Sequence, residues 1–97
     1  MLEQGVIAIS NNGYNRKTSD IIVVAMTSNP EVVEYSFTIT SEDLQLGNLK
    51  RPGKVRVDKI YTLSQSIVVK TFGRVNLRVL EHIRELLKKL VAKRNKL

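Results

Sequence analysis

The sequence predicts an α+β domain in which a core of short β-strands is completed by one amphipathic helix at the C-terminal end. Short apolar runs alternate with turn-forming residues through most of the chain, which is typical of short strands. The final segment instead repeats apolar residues at helical spacing. The 97 residues are 42% hydrophobic and 26% charged, a balance that suits one folded domain with a single core.

The predicted strands are delimited by turn residues. Residues 6–10 form an apolar run that stops at the turn-forming sequence NNG. Residues 21–27 are a continuous β-branched run, typical of a strand buried on both faces. Residues 33–40 and 54–60 alternate apolar and polar side chains, so we expect each strand to have one wet face. Residues 67–73 add a further strand.

The C-terminal helix is predicted from Asn76, a typical N-cap residue, to about Arg94. An apolar stripe follows the helical repeat and consists of Leu80, Ile83, Leu87, Leu90 and Val91, flanked by Val79 and Leu86. His82 falls on the polar side of this helix, where we expect an ordinary surface histidine.

Composition excludes several classes of site. The chain has no cysteine, which rules out disulfides and thiolate metal sites, and its one histidine cannot build a histidine-rich metal site. No apolar run approaches the roughly 20 residues that cross a bilayer, and the N-terminus does not have the pattern of a signal peptide. We therefore expect a cytoplasmic protein without a membrane partner.

Charge is distributed unevenly along the chain. Residues 1–49 carry two basic and six acidic side chains, whereas residues 50–97 carry fourteen basic and three acidic ones. A basic half of this kind indicates an anionic partner, with nucleic acid favoured over a membrane surface. The alternative interpretation is a solvated basic surface that aids solubility.

One strand carries a candidate catalytic pair. The alternation of residues 54–60 places Arg56 and Asp58 on one face of the strand, together with Lys54. A guanidinium and a carboxylate so placed can position a phosphate, stabilise a phosphorane and move a proton. The alternative is a surface ion pair of little energetic value.

A polar segment after the first strand is a candidate for RNA binding. Amides that can read base edges, an aromatic ring that can stack and cations that can hold phosphates occur together in residues 11–17. The candidate contacts are Asn11, Asn12, Asn15 and Arg16. An ordinary polar turn would use many of the same residues. Thr27 offers a hydroxyl at a strand end, where capping the turn is its alternative role.

In combination, these blocks resemble the MazF/PemK (Kid) family of type II toxin–antitoxin endoribonucleases. Residues 6–11 and Asn15 match the family's first block, an apolar strand followed by S-N and a later asparagine. The second block ends in a threonine, here Thr27. The family's D-Q-I-R-T block appears as DKIYT at residues 58–62, and its glycine-containing segment before the helix appears as FGRV at residues 72–75.

This resemblance implies a small SH3-like β-barrel, the CcdB/PemK-like toxin fold, with a C-terminal amphipathic helix. It also implies a homodimer that cleaves single-stranded RNA without metal or cofactor and is neutralised by a cognate antitoxin. Arg56 and Asp58 match a catalytic pair of the Kid branch, and Thr27 matches a threonine used in the MazF branch. Lys54 and Lys59 join the asparagines and Arg16 as expected RNA contacts.

The sequence also departs from the family pattern. Family members begin with a β-hairpin that is not represented here, so residues 1–97 are expected to form a single domain without it. The arginine that is catalytic in the MazF branch falls on Gln4, and the arginine of D-Q-I-R-T falls on Tyr61. Two alternatives therefore stay open: a degenerate member that binds RNA or an antitoxin without cleavage, and a CcdB-like topoisomerase poison.

Overall fold

The computed structural model describes residues 4–29, 31–68 and 73–92. The strands in this part of the chain are β1 (Gln4–Ala8), β2 (Asp20–Thr27), β3 (Ser36–Ile39), β4 (Leu44–Leu46), β5 (Gly53–Ser64) and β6 (Arg74–Val75), and the helices are α1 (Asn12–Lys17) and α2 (Leu77–Val91). Short 3₁₀ turns occupy Ser41–Asp43 and Gln65–Ile67. No helix in these ranges has both the length and the apolar character needed to cross a membrane.

The strands form two antiparallel sheets. The larger has the order β1-β2-β5-β3, and the smaller pairs β4 with β6. This arrangement confirms the α+β class and the terminal helix. The larger sheet is not closed into the expected barrel in the described residues. Its edge strands β1 and β3 each pair with only one neighbour, so the sheet is open.

The core lies between one face of the larger sheet and α2. Strand alternation sends Val55 and Val57 of β5 to this face, where both are fully buried. Buried residues from the other elements complete the cluster: Ile7, Val24, Ile39, Val79 and Ile83. Val23, the neighbour of Val24 along β2, is also buried, so at this point the strand is covered on both faces as the apolar run predicts.

Helix α2 begins as predicted but ends earlier. The side chain of Asn76 accepts a hydrogen bond from the Val79 N–H at 3.1 Å, which caps the first turn. The last helical residue is Val91, and the predicted end at Arg94 lies outside the described residues. Val91 is 69% exposed, so the predicted apolar stripe does not extend to the end of the helix.

The polar segment after β1, where the sequence NNG predicted a turn, forms the short helix α1. Asn11 caps α1 by accepting a hydrogen bond from the Tyr14 N–H at 2.8 Å. Arg16 and Lys17 occupy its last turn, where positive charge complements the helix dipole. Asparagine and glycine favour turns, but here the asparagine performs the capping role that the same side chain also favours.

The bounds of the predicted strands differ from those observed, and β1 covers Gln4–Ala8 instead of residues 6–10. The run over residues 33–40 yields only Ser36–Ile39, because Tyr35 adopts a left-handed conformation with φ of 60°, so the extended backbone begins only after it. The prediction of a strand at residues 67–73 is wrong for the described residues of this range. Ile67 closes a 3₁₀ turn, and β6 begins only at Arg74. Residues 69–72, including Phe72 of the family-like block, lie outside the described residues.

Strand β5 is longer than predicted and contains a register shift. It pairs with β2 from Lys54 opposite Thr27 to Ser64 opposite Asp20. Between these ends, adjacent residues Val24 and Ala25 pair with Ile60 and Arg56, so residues 57–59 of β5 form a bulge. The Val57 N–H instead donates to the Tyr35 carbonyl at 3.0 Å.

The packing around Gly73 gives a prediction for stability. A Cβ at this position would overlap the backbone carbonyl oxygen of Leu46 and lie 3.1 Å from the Cα of Gly47. We expect Gly73→Ala to lower the free energy of unfolding by about 1–3 kcal/mol, since backbone atoms cannot rotate away. Each kcal/mol corresponds to roughly 4–8 °C in Tm for a domain of this size.

Gly53→Ala is the matched control for this prediction. The Cβ added there would lie 2.8 Å from the sulfur of Met26, a flexible side chain that can move. Thermal unfolding followed by circular dichroism should show the larger loss for Gly73→Ala. Equal losses in the two variants would contradict the close approach between Gly73 and the end of β4.

Candidate functional site

The candidate site lies on the face of the larger sheet opposite α2. Residues paired across antiparallel strands project from the same face, and alternate residues along a strand share it. One row on this open face contains Thr27, Lys54 and Thr38, and the next contains Val6, Ala25, Arg56 and Ser36. Asp58 follows Arg56 within the bulge of β5. The register thus brings Thr27, Lys54, Arg56 and Asp58 together.

Arg56 and Asp58 form a two-pronged ion pair. The Arg56 Nε donates to Asp58 Oδ1 at 2.8 Å, and Nη2 donates to Oδ2 at 2.7 Å. The side chains are 20% and 30% exposed, respectively, so the pair is accessible from solvent. Two parallel N–H···O bonds fix the plane of the guanidinium relative to the plane of the carboxylate, so the two groups have a defined mutual orientation.

The ion pair shifts the protonation of both groups. The hydrogen bond from Arg56 lowers the pKa of Asp58, and this effect exceeds the opposing effect of partial burial. The same hydrogen bond raises the pKa of Arg56. Asp58 is therefore an anion at neutral pH, able to accept a proton, and Arg56 remains a cation.

Thr27 and Lys54 occupy the row beside this pair. They are backbone partners at the ends of β2 and β5, and Thr27 is also paired with Gln4 of β1. The Thr27 Oγ1 accepts a hydrogen bond from the Asn29 N–H at 3.2 Å, so its own hydroxyl hydrogen can still be donated. The Lys54 ammonium contacts the Glu31 carbonyl. A hydroxyl donor and a second cation thus accompany the Arg56–Asp58 pair.

Two further open-face residues were not predicted. Ser36 is the β3 partner of Arg56, and Thr38 is the partner of Lys54. The alternation of residues 33–40 indicated that β3 has a wet face. Its register against β5 could not be read from that alternation, so the proximity of these hydroxyl residues to Arg56 and Lys54 appears only in the structure.

The predicted contacts near α1 lie at the other end of the sheet. Helix α1 joins the end of β1 at Ala8 to the start of β2, whereas Thr27 stands at the far end of β2. Thr27 lies four residue steps beyond Val23, the partner of Ala8, which corresponds to about 13 Å along a strand. The structure therefore does not bring the α1 residues beside Thr27 and Lys54.

The α1 residues differ in their availability. Asn12 and Arg16 are exposed, and Asn11 uses its side-chain oxygen as the helix cap. Asn15 is half-buried, accepts from the Ser10 hydroxyl at 2.5 Å and donates to the Ser10 carbonyl at 3.2 Å. Its side chain thus stabilises the turn into α1. Lys59 is exposed in the bulge, next to Asp58.

The end of β5 is attached to α1 by Gln65. Its side-chain amide donates to the carbonyls of Asn15 at 2.7 Å and of Asp20 at 2.8 Å. This residue therefore holds the segment between α1 and β2 against the sheet. Over residues 4–29, 31–68 and 73–92, no three histidine, aspartate or glutamate side chains lie close enough together to hold a metal ion.

The lowered pKa of Asp58 predicts how the ion pair depends on pH. In the unfolded chain this carboxyl titrates near its ordinary pKa of about 3.9, and in the folded protein it titrates lower. The pair should therefore stabilise the fold above about pH 4, and this contribution should disappear as pH falls through the folded pKa. Because both groups are partly exposed, we expect a small effect.

Urea unfolding of wild type and Asp58→Asn over pH 7 to 2 measures this contribution. The difference in unfolding free energy between the two should be constant near neutrality and shrink below about pH 4. Glu85→Gln, on the exposed side of α2, controls for the loss of one negative charge. A wild-type advantage over Asp58→Asn that is unchanged at pH 2 would show that the ion pair is not its source.

Solved structures with the same fold include two mycobacterial endoribonucleases and a MazE–MazF structure. An endoribonuclease from a mycobacterial species superposes with a TM-score of 0.75 at 22% identity, over 94% of this chain and 82% of that one. A mycobacterial endoribonuclease in complex with its cognate antitoxin gives 0.70 at 20% identity, with the same coverage. MazE–MazF from Deinococcus radiodurans gives 0.74 at 21% identity, over 91% and 81% of the respective chains.

The sequence comparison agrees with the fold. Among curated proteins, none matches the sequence. Residues 4–91 match the family of PemK-like, MazF-like toxins of type II toxin–antitoxin systems, a span that includes both sheets, α2 and the open face with Arg56 and Asp58. The chain therefore belongs to the PemK-like, MazF-like toxin family.

Proposed function

We propose that this protein is the toxin of a type II toxin–antitoxin system and cleaves single-stranded RNA in the cytoplasm. The observation that carries the proposal is the two-pronged Arg56–Asp58 pair on an accessible sheet face, beside Thr27 and Lys54. Membership of the toxin family and the fold shared with mycobacterial endoribonucleases support it. The basic second half of the chain suits an RNA partner.

The proposed reaction uses the ribose next to the scissile phosphate. Asp58, an anion at neutral pH, accepts the proton of the 2′-OH as O2′ forms a bond to phosphorus. The bond from phosphorus to the 5′ oxygen breaks, and solvent protonates this leaving oxygen. The products are a 2′,3′-cyclic phosphate (or the 3′-phosphate formed by its hydrolysis) and a 5′-OH.

Arg56 and Thr27 stabilise the phosphorane in this scheme. Arg56 uses Nε and one N–H of Nη2 to hold Asp58, and its remaining N–H groups can donate to phosphate oxygens as negative charge develops. The Thr27 hydroxyl can donate to the same phosphate. Gln4, the backbone neighbour of Thr27, replaces the arginine of the MazF branch, so Arg56 carries the main electrostatic role here.

We also propose two protein partners. A cognate antitoxin follows from the family and from complexes such as MazE–MazF, and an acidic antitoxin segment would complement the basic half of this chain. A second copy of the chain would cover apolar side chains that the monomer exposes. Val6 of the edge strand β1 is 50% exposed, and Leu77 of α2 is 74% exposed.

Cleavage through Arg56 predicts the effect of its removal. Long single-stranded RNA incubated with the wild type in EDTA should be cut, with cyclic-phosphate and 5′-OH ends found by end-group analysis. Arg56→Ala should lower the rate about 10²–10³-fold, the usual cost of losing a preorganised charge stabiliser. The cleavage rate of Arg56→Lys should lie between those of the wild type and Arg56→Ala, because lysine keeps the positive charge but not the planar set of N–H donors.

Arg84→Ala, on the exposed side of α2, is the matched control because it removes one arginine far from the ion pair. It should cleave at the wild-type rate, and the Tm of each variant should be measured to confirm folding. Cleavage that survives Arg56→Ala would exclude the proposed centre. RNA binding by the wild type without any cleavage would instead support the binding-only alternative.

The proposed dimer has its own test. Analytical ultracentrifugation at tens of micromolar should give the mass of two chains, because burial of the exposed apolar side chains favours association. Leu77→Glu and Val6→Glu each place a charge on one exposed apolar site. The substitution that lies in the dimer interface should convert the dimer to monomers. A monomer at these concentrations would contradict the proposed assembly.

A further inference from the structure

A shallow cavity lies where α2 crosses β3. Its volume is about 230 Å³, and its walls include Phe37 and Thr38 of β3, Asp43 of the following 3₁₀ turn, and Arg78 and His82 of α2. None of these residues belongs to the proposed catalytic centre. The cavity combines an aromatic stack, a cation and a carboxylate, which together are chemically suited to a nucleotide.

The aromatic stack is formed by His82 and Phe37. Their ring centroids are 3.9 Å apart, and the ring planes differ by 26°. His82 is also an exposed residue, so its imidazole is accessible from solvent while it stacks on Phe37. A flat ring already held in place is a platform on which a nucleobase can stack without prior ordering of the side chain.

The charged residues of the cavity complement a nucleotide. Arg78 is exposed and lies one helical turn before His82, so its guanidinium can hold the phosphate attached to a stacked base. The Asp43 Oδ2 accepts from the Thr40 N–H at 2.8 Å, which orients the carboxylate. Its other oxygen can accept a hydrogen bond from the exocyclic amino group of a base.

The cavity is adjacent to the open face. Thr38 lines the cavity and is the backbone partner of Lys54, which precedes Arg56 on the same face of β5. Adjacent strands are about 4.8 Å apart, so β3 is a narrow boundary between the two regions. Because β3 is an edge strand, RNA that lies over Arg56 can turn around this edge toward Phe37 and His82 on the α2 side.

We propose that this cavity is a nucleobase subsite for the RNA substrate, occupied by a base outside the scissile step. His82 stacks on the base, Arg78 holds its phosphate, and Asp43 favours bases with an exocyclic amino group over uracil. This proposal rests on the proposed RNA-cleaving function, and it specifies the direction in which the substrate leaves the catalytic centre.

The first test uses RNA that cannot be cut. Fluorescein-labelled 2′-O-methyl octamers of cytosine, adenine or uracil lack the attacking hydroxyl and can be titrated into the intact protein by fluorescence anisotropy. His82→Ala should weaken cytosine binding about 5- to 100-fold, within the range expected for loss of one base–aromatic stack. His82→Phe should bind like the wild type, because it retains a ring over Phe37.

Arg84→Ala is the matched control on α2, since it removes a cation outside the cavity, and it should weaken binding less than Arg78→Ala. Asp43→Asn retains an oxygen acceptor for Thr40 and should reduce the preference for the cytosine octamer over the uracil octamer. Tetramers too short to span both regions should respond less to His82→Ala than octamers do, which a general loss of fold would not produce.

The outcomes separate this proposal from the proposed function. If the wild type binds and cleaves RNA while His82→Ala binds octamers equally well, the subsite is overturned and the ribonuclease stands. Equal losses in His82→Phe and His82→Ala would also overturn it, because stacking would not be the contact. A wild type that neither binds nor cleaves RNA would overturn both proposals.

Discussion

The alternation of strand β5 is the constraint on which the core and the site both depend. Val55 and Val57 are fully buried beneath α2, and this burial forces the intervening Arg56 to the opposite face of the sheet. A shift of β5 by one residue would bury a guanidinium and expose two valines. The resulting loss of folding free energy would far exceed the stabilisation from any surface contact. The hydrophobic core therefore determines the position of the candidate catalytic arginine, and no separate scaffold is required.

Sequence patterns predicted those features that depend on local periodicity. The period-two alternation placed Arg56, Asp58 and Lys54 on one face, and the structure agrees because only the valines between them can enter the core. The N-cap at Asn76 and the start of α2 were predicted for a similar reason, since capping involves residues only three positions apart. The family-like order of blocks singled out Thr27 as a site residue, but its position opposite Lys54 is seen only in the structure.

Features that depend on contacts between distant segments were not predictable in this way. The bulge at residues 57–59 arises from the register of β5 against β2, and the late start of β3 arises from the φ of Tyr35, whose carbonyl accepts a hydrogen bond from the Val57 N–H. Neither has a periodic signal. His82 was correctly expected on the exposed side of its helix, but its stack on Phe37 joins a helix to a strand far away in the chain.

The strand order also determines when the site comes into existence during synthesis. Strands β1 and β2 are linked by a short helix and can pair as soon as they emerge, whereas β2 meets β5 only after β3 and β4 have been made. Helix α2, which covers the apolar face, is translated after every other described element. A nascent chain that stops short of β5 has Thr27 but not Arg56 or Asp58, so the proposed catalytic pair exists only after β5 has been made.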